Sequence, residues 1–437
     1  MKKITMSAVA LTAIMGSFSS VSAADGINIL DDLKLDAQIR PRWENVDDGN
    51  SDTANANAYT ARTKLKVTGN LLDVDGLSAS VGIISVNNFG SHTYNWDKSG
   101  QYTDGTKPYA IVGDPQAAMI SNAEINYKTG DTVLHAGRDQ VNLDNQRFIG
   151  TVGWRQLERS YDSVFVANNS IKNLSVLAAW VYGYAGVGGT TTTDANSILL
   201  HAVYKVNEAL NITAYDYMLA TSQFDGAGFD IYGAALTGKT ALSGVKLNYR
   251  AEYAVQKDAS MKIHDTPATA DQFKADADYY NLDLGANISG VLVGVNYEFL
   301  SGSTGTDNKS NFIPLLGTNH KFNGWADVFF VGNTGPEGGL IDANARLGYT
   351  AKGFGKLLAV YHDFTADKKM ATTTGTSDDL GSEIDVMYVN KIPGVNGLTG
   401  MLKYADYSKG ADMTGFDNVT HDSTKIWAQL DYKFSTK

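Results

Sequence analysis

From Leu33 to Glu44 the chain reads LKLDAQIRPRWE, with an apolar residue at every second position. Leu33, Leu35, Ala37, Ile39, Pro41 and Trp43 alternate with Lys34, Asp36, Gln38, Arg40, Arg42 and Glu44. Successive strand side chains point to opposite faces, so this segment has one apolar face and one charged face when extended. The same period returns in YTARTKLKVTGNL (59–71), VKLNYRAEYAVQ (245–256), YNLDLGANI (280–288), IDANARLGY (341–349) and KIWAQLDYKF (425–434). No stretch of comparable length keeps a helical period, and after the first residues no apolar run is long enough to span a bilayer as a helix. Pro41 removes one ladder donor and is the local oddity of the first strand.

Connector lengths sharpen the expectation. Short links at 73–76, 129–131, 169–173, 207–209, 239–243 and 289–290 alternate with long polar stretches at 88–118, 257–277 and 301–338. Short turns on one side and long loops on the other are the asymmetry of an outer-membrane barrel, with the turns in the periplasm. One alternating run, WADVFFVG (325–332), would make the number of strands odd. A single-chain barrel with both ends on the periplasmic side needs an even number, so this run is placed in the preceding loop. The remaining strands start near residues 33, 58, 77, 119, 132, 160, 174, 197, 210, 229, 244, 278, 291, 339, 354, 380, 398 and 423. The expected fold is all-β, a single transmembrane antiparallel β-barrel of about eighteen strands with long extracellular loops. In lipid every backbone donor and acceptor needs an internal partner, which a closed sheet provides.

The opening MKKITMSAVALTAIMGSFSSVSA (1–23) reads as a secretory signal, with basic Lys2 and Lys3, a short apolar run and small residues before the cut. The barrel then occupies 24–437. An exported chain without a cysteine draws its stability from something other than disulfides, and a large closed sheet would supply it. The formal charge of −11 argues against a nucleic-acid partner. The histidines, His92, His135, His201, His264, His320, His362 and His421, are dispersed, so an outer-membrane hydrolase is disfavoured. His362 and Asp363 are adjacent strand residues and face opposite sides. DVDG (73–76) lacks the later ligands of a calcium loop and reads as a tight turn, so neither a metal nor a cofactor is expected. With no plug domain ahead of Leu33, the expectation is passive diffusion rather than energy-coupled transport.

Charge placement points to the solute. The chain has nine arginines, and GRDQVNLDNQRFIGTVGWRQLERSYD (137–162) holds Arg138, Arg147, Arg155 and Arg159. Strand phase puts Arg40, Arg42, Arg62, Lys64, Arg250 and Arg346 on the inner wall, in a surplus of inward bases over inward acids. A lining of guanidinium and ammonium groups selects anions. For the four clustered arginines three roles stay open. They can pair with Asp139, Asp144, Glu158 and Asp162, bind lipid phosphates, or touch a passing anion. General or cation-tolerant porin, surface receptor and adhesin are the competing functions.

The blocks GRDQVNLDNQRFIGTVGWRQLERSYD (137–162), NFIPLLGTNHKFNGWADVF (311–329), PEGGLIDANARLGY (336–349), YHDFTAD (361–367), LKYADY (402–407) and TKIWAQLDYKF (424–434) resemble the alginate export family of outer-membrane porins. The resemblance implies an eighteen-stranded barrel, a positive lumen and passage of an anionic polyuronate or related solute. It implies a part in pore selectivity for Arg138, Arg147, Arg155 and Arg159. It also implies outer-membrane lipid, lipopolysaccharide and the barrel-assembly machinery as partners. Export and uptake, and polyuronate and small organic anion, remain open at this level.

Overall fold

The computed structural model describes residues 21–22, 28–90, 92–97, 99–222, 228–261, 275–303, 311–329, 337–414 and 419–436. Apart from Val21–Ser22, which pair with Leu30 and Asn28, the expected signal segment lies outside the described residues. Alternation does produce strands. They are β1 (Asn28–Asp47), β2 (Ala56–Leu71), β3 (Leu77–Asn88), β4 (Ala117–Thr129), β5 (Thr132–Asp139), β6 (Ser160–Asn168), β7 (Leu174–Ala185), β8 (Thr193–Asn207) and β9 (Leu210–Ala220). The chain continues with β10 (Gly228–Leu242), β11 (Val245–Asp258), β12 (Asp276–Ile288), β13 (Val291–Leu300), β14 (Leu340–Ala351), β15 (Gly355–Thr372), β16 (Gly375–Lys391), β17 (Leu398–Ser408) and β18 (Ser423–Ser435). Each pairs antiparallel with its chain neighbours, and β18 returns to β1 from Asp36↔Ser435 to Asp47↔Thr424. The eighteen strands therefore close into a barrel, as the parity argument requires.

Val81, Ile83, Ile120, Ile125, Leu282, Leu284, Val293, Val295, Leu347 and Leu402 all present their side chains outward. So continuous an exposed apolar belt would aggregate in water, whereas acyl chains cover it in a membrane. Tyr59, Tyr127 and Tyr349 are exposed near strand ends, where aromatic girdles meet the lipid interface. Pro41 falls on the outward face of β1, and the β1–β18 ladder has no pair between Ile39↔Tyr432 and Arg42↔Gln429. At the tight turn after β2, Gly76 has φ +77° and lies against the Lys128 carbonyl, where a side chain would clash.

Two elements differ from expectation. β8 starts at Thr193, a few residues early, and β16 starts at Gly375 rather than near 380. GTSDDL (375–380) carries no apolar alternation because that end of the β15–β16 hairpin is held by backbone pairing, with a register break between Phe364 and Met370. Trp325–Phe329 is not a strand. It belongs to the stretch 311–329, which together with 140–159 turns into the lumen. Phe148, Ile149, Phe312, Leu315, Leu316, Val328 and Phe329 of these connectors pack on wall residues Tyr161, Tyr217, Tyr279, Phe364, Tyr407 and Trp427. The apolar core of this barrel is thus made by its own loops.

Candidate functional site

The two inward loops are knitted by backbone bonds. Gly150 N donates to Leu316 O at 2.9 Å, and Thr318 N donates to Gln146 O at 2.9 Å. Val152 N adds a bond to Thr318 Oγ1 at 3.1 Å. Loop carbonyls buried without water need donors, and the barrel wall supplies them as guanidinium groups. Arg40 on β1 donates from Nη1 to Gly153 O at 2.9 Å, from Nη2 to Arg155 O at 2.6 Å and from Nε to Gln156 Oε1 at 2.9 Å. Arg42 Nη2 reaches Trp154 O at 2.6 Å, and its guanidinium lies 4.1 Å over the Trp154 ring. Arg62 on β2 donates to Gln38 Oε1 at 2.6 Å and faces Glu158 at 3.5 Å. Gln156 also donates its backbone N–H to Oδ1 of Asp114, a residue of the connector after β3, at 2.7 Å.

The clustered arginines have specific fates. Arg147 is fully buried. Its Nε meets Glu298 Oε1 of β13 at 2.9 Å, and Nη2 donates to Glu298 Oε2 at 3.0 Å and Asn323 Oδ1 at 2.9 Å. Arg159 Nη1 donates to Leu316 O at 2.7 Å, tying the first loop to the second. Arg155 bridges Glu44 at 3.1 Å and Asp327 at 3.1 Å. Burial opposes its charge, but Glu44, Asp114 and Asp327 outweigh burial and raise its pKa. Arg138, on β5, stands apart and forks onto Asp162, with both bonds at 2.6 Å. Of the local acids, Asp162 is the arginine's own partner. Glu158 takes Arg62 and Lys64, Asp139 faces Lys66 at 3.8 Å, and Asp144 meets His201 at 3.0 Å. On the far wall Arg250 pairs with Glu252 at 2.7 Å, and Arg346 forks onto Asp283 at 2.5 and 2.8 Å.

The second loop ends on β16, β17 and β18. Ala326 N donates to Glu383 Oε1 at 2.8 Å and Trp325 N to Asp385 Oδ2 at 3.2 Å. Lys403 Nζ lies 4.1 Å over Trp154, 3.7 Å over Trp325 and 2.6 Å from His320 Nε2. His320 Nδ1 is 2.8 Å from Asp327. A neutral imidazole with its proton on Nδ1 satisfies both neighbours, donating to the carboxylate and accepting from the lysine. Burial, with Lys403 and Arg155 close by, pushes His320 well below its usual pKa against the pull of Asp327. Burial would raise Asp327, but His320, Lys425 and Arg155 hold it below the usual carboxylate range. His362 contacts Asp342 at 2.9 Å and Asp385 at 3.5 Å, while Asp363 is exposed on the other face of β15.

Gln156, Trp154, Asp327 and Lys403 hold the constriction; Lys403 has an inward strand phase, but the other three were not singled out from the sequence. Trp154 and Gln156 lie in a loop with no period to read, and Asp327 lies in the alternating run that parity placed in a loop. Lys403 is a single inward lysine whose partners are two loops away. Beside this packed middle the lumen keeps open space. A cavity of about 830 Å³ runs between the second loop and the β11–β17 wall. Another of about 400 Å³ is lined by Asp36, Gln38, Lys64, Lys66 and Lys433 near the periplasmic ends of β1, β2 and β18. There Lys433 is 66% exposed and Lys64 22%, the latter joined to Glu158 and, at 3.1 Å, to Gln140. Among the described residues no group of acids and histidines is arranged to hold a metal.

A closed eighteen-strand sheet with an apolar outer belt and a polar lumen narrowed by its own loops defines an outer-membrane β-barrel. No protein-family model matches the sequence, nor does any curated protein, so the resemblance to the alginate export family rests on the quoted blocks alone. Solved structures do match. Pseudomonas aeruginosa OpdK, crystallised with vanillate, superposes with a TM-score of 0.67 at 13% identity over 94% of this chain and 100% of its own. Acinetobacter baumannii OccAB4 gives 0.68 at 14%, covering 93% of this chain and 99% of its own. P. aeruginosa OccD3 (OpdP) gives 0.66 at 14%, covering 96% and 95%. At these identities the likeness establishes the fold.

Proposed function

We propose that the chain is an outer-membrane channel for passive diffusion of small organic anions. The observation that carries this is the basic file on β1, β2 and β18. Below Arg42, Arg40 and Arg62, which are committed to the loop, Lys64, Lys66, Lys433 and Lys34 continue toward the periplasm with exposed or half-buried ammonium groups, each beside a carboxylate (Glu158, Glu124, Asp431 and Asp36). An anion beside the constriction meets that file along one wall. Arg155, with its side chain 12% exposed between two carboxylates, is the member of the arginine cluster nearest to solvent in the loops. Selectivity is therefore assigned to the lysines, with the buried arginines setting the bore. Between polyuronate and small anion, the two inward loops favour the smaller solute. OpdK, a barrel of the same fold, was crystallised with vanillate, itself a small carboxylate.

The test is the reversal potential of the purified protein in a planar bilayer under a KCl gradient. An anion-preferring potential is expected, moving toward zero when Lys64, Lys66 and Lys433 become Gln. The shift shrinks at 1 M salt, where the screening length is about 3 Å. Cation preference in the unmodified protein would overturn the reading.

A further inference from the structure

The apolar belt has a depression on the seam where the barrel closes. At one level of the register the outward residues are Tyr388 on β16, Leu402 on β17, Ala428 on β18, Trp43 on β1 and Tyr59 on β2, each paired with the next. Ala428, with Gly400 and Pro41 one outward position nearer the periplasm, leaves a low floor between the exposed Leu402, Leu430 and Tyr59. The resulting groove has a volume of about 570 Å³. It crosses five strands, and four interstrand spacings make it roughly 19 Å long. At its back the β1–β18 ladder has no pair between Ile39↔Tyr432 and Arg42↔Gln429. Arg42 bridges that gap from the lumen side, donating to Gln429 Oε1 at 3.0 and 2.7 Å. At the periplasmic end Tyr388 Oη donates to Phe354 O at 2.6 Å and Asn390 Nδ2 to Gly353 O at 3.3 Å, which fixes the β14–β15 turn beside the groove. That turn carries Lys352 and β16 ends in Lys391, both exposed, and neither 352–354 nor 392–397 contains an acid.

We propose that this groove holds one acyl chain of an anionic phospholipid of the periplasmic leaflet, with the phosphate at Lys352 and Lys391. A flexible chain of methylenes can follow a narrow groove and touch both sides, whereas the convex wall of a neighbouring barrel would span it without entering. Ammonium groups on two acid-free turns at the membrane surface favour a headgroup of net negative charge. The chain would lie on the outer side of the seam whose lumen side holds Trp154 through Arg42. The inference goes beyond the solute reading and stands without it.

In the experiment the full-length protein is reconstituted in vesicles of equal phosphatidylglycerol and phosphatidylethanolamine, extracted in mild detergent and weighed by native mass spectrometry. One retained phospholipid per chain is expected. Phosphatidylglycerol should be retained about fivefold over phosphatidylethanolamine, the worth of roughly one lysine at a membrane surface. Ala428→Leu, which fills the floor, should abolish retention, while Ala345→Leu on the lipid face of β14 leaves it unchanged. Lys352→Gln combined with Lys391→Gln changes only exposed positions at the turns and should bring the two lipids to equal retention. No retained phospholipid, retention that survives Ala428→Leu, or a headgroup preference untouched by the double substitution overturns the proposal. So does a mass of two chains that Ala428→Leu reduces to one, which would make the groove a contact between copies. The headgroup comparison decides the matter even where Ala428→Leu does not assemble.

Discussion

Arg147 illustrates what a guanidinium does here. Its side chain is sealed between the two loops and β13, with Glu298, Asn319 and Asn323 as partners and the Phe322 ring 4.7 Å away. A buried pair of this kind does little net work against a hydrophobic substitute, but breaking it from one side strands a charge. Arg147→Met is therefore expected to cost about 3–5 kcal/mol of loop docking, by the usual cost of an orphaned buried ion. Limited proteolysis reads this directly, with cleavage inside 140–159 rising more than a hundredfold while gel mobility still reports a folded barrel. Glu298→Gln added to Arg147→Met should recover most of the loss. No recovery would mean that Arg147 acts by packing and not by charge. The clustering of Arg138, Arg147, Arg155 and Arg159 was plain in the sequence, and so was the place of Glu44 on the charged face of its strand. Their pairing was not, because Arg147 and Glu298 are brought together by a loop whose path no local pattern encodes.

At the scale of strands, the period-two pattern located the barrel closely because each strand obeys one local rule, lipid on one side and lumen on the other. It failed where the rule lapses, in the polar start of β16 and in the two loops that supply the core. A finer feature of the wall lies in Gly294 on β13, opposite Arg346 on β14. A methyl group at Gly294 would come within 2.6 Å of Arg346 Nε, so the bare backbone lets that side chain lie flat and reach Asp283. The atom in the way is the end of a flexible side chain, and Arg346 would yield before the strand does. Gly294→Ala should turn Arg346 into the lumen and lower single-channel conductance. The change in unfolding free energy should be less than about 1 kcal/mol, because the ion pair is partly exposed. Unchanged conductance would show that the flat arginine has no bearing on the bore.

For the molecule as a whole, the barrel is a rigid frame and the bore is decided by whether the two loops stay docked. Docking joins β1, β16 and β17 through Arg40, Arg42, Glu383, Asp385 and Lys403, with His320 facing Asp327, Lys403 and the nearby Arg155. The sign of the pH response follows from His320. Docked, it is held neutral, its pKa well below 6.5; released into water, it takes a proton near 6.5. The undocked state then binds one more proton on His320, so this histidine's contribution to docking is present above about pH 6.5 and is lost as the pH falls below it. Asp327, held below its ordinary 3.8, stays ionised through this window and contributes no slope. The docked-to-undocked ratio is therefore expected to fall between pH 7 and pH 5. Single-channel recordings across that range should show rising open-state noise and larger conductance excursions at pH 5, with the barrel still folded. His320→Gln keeps a polar partner for Asp327 but cannot titrate, so its recordings should be flat with pH. A variant that keeps the full acid response would shift the switch from His320 to the carboxylates Glu383 and Asp385 at the end of the same loop.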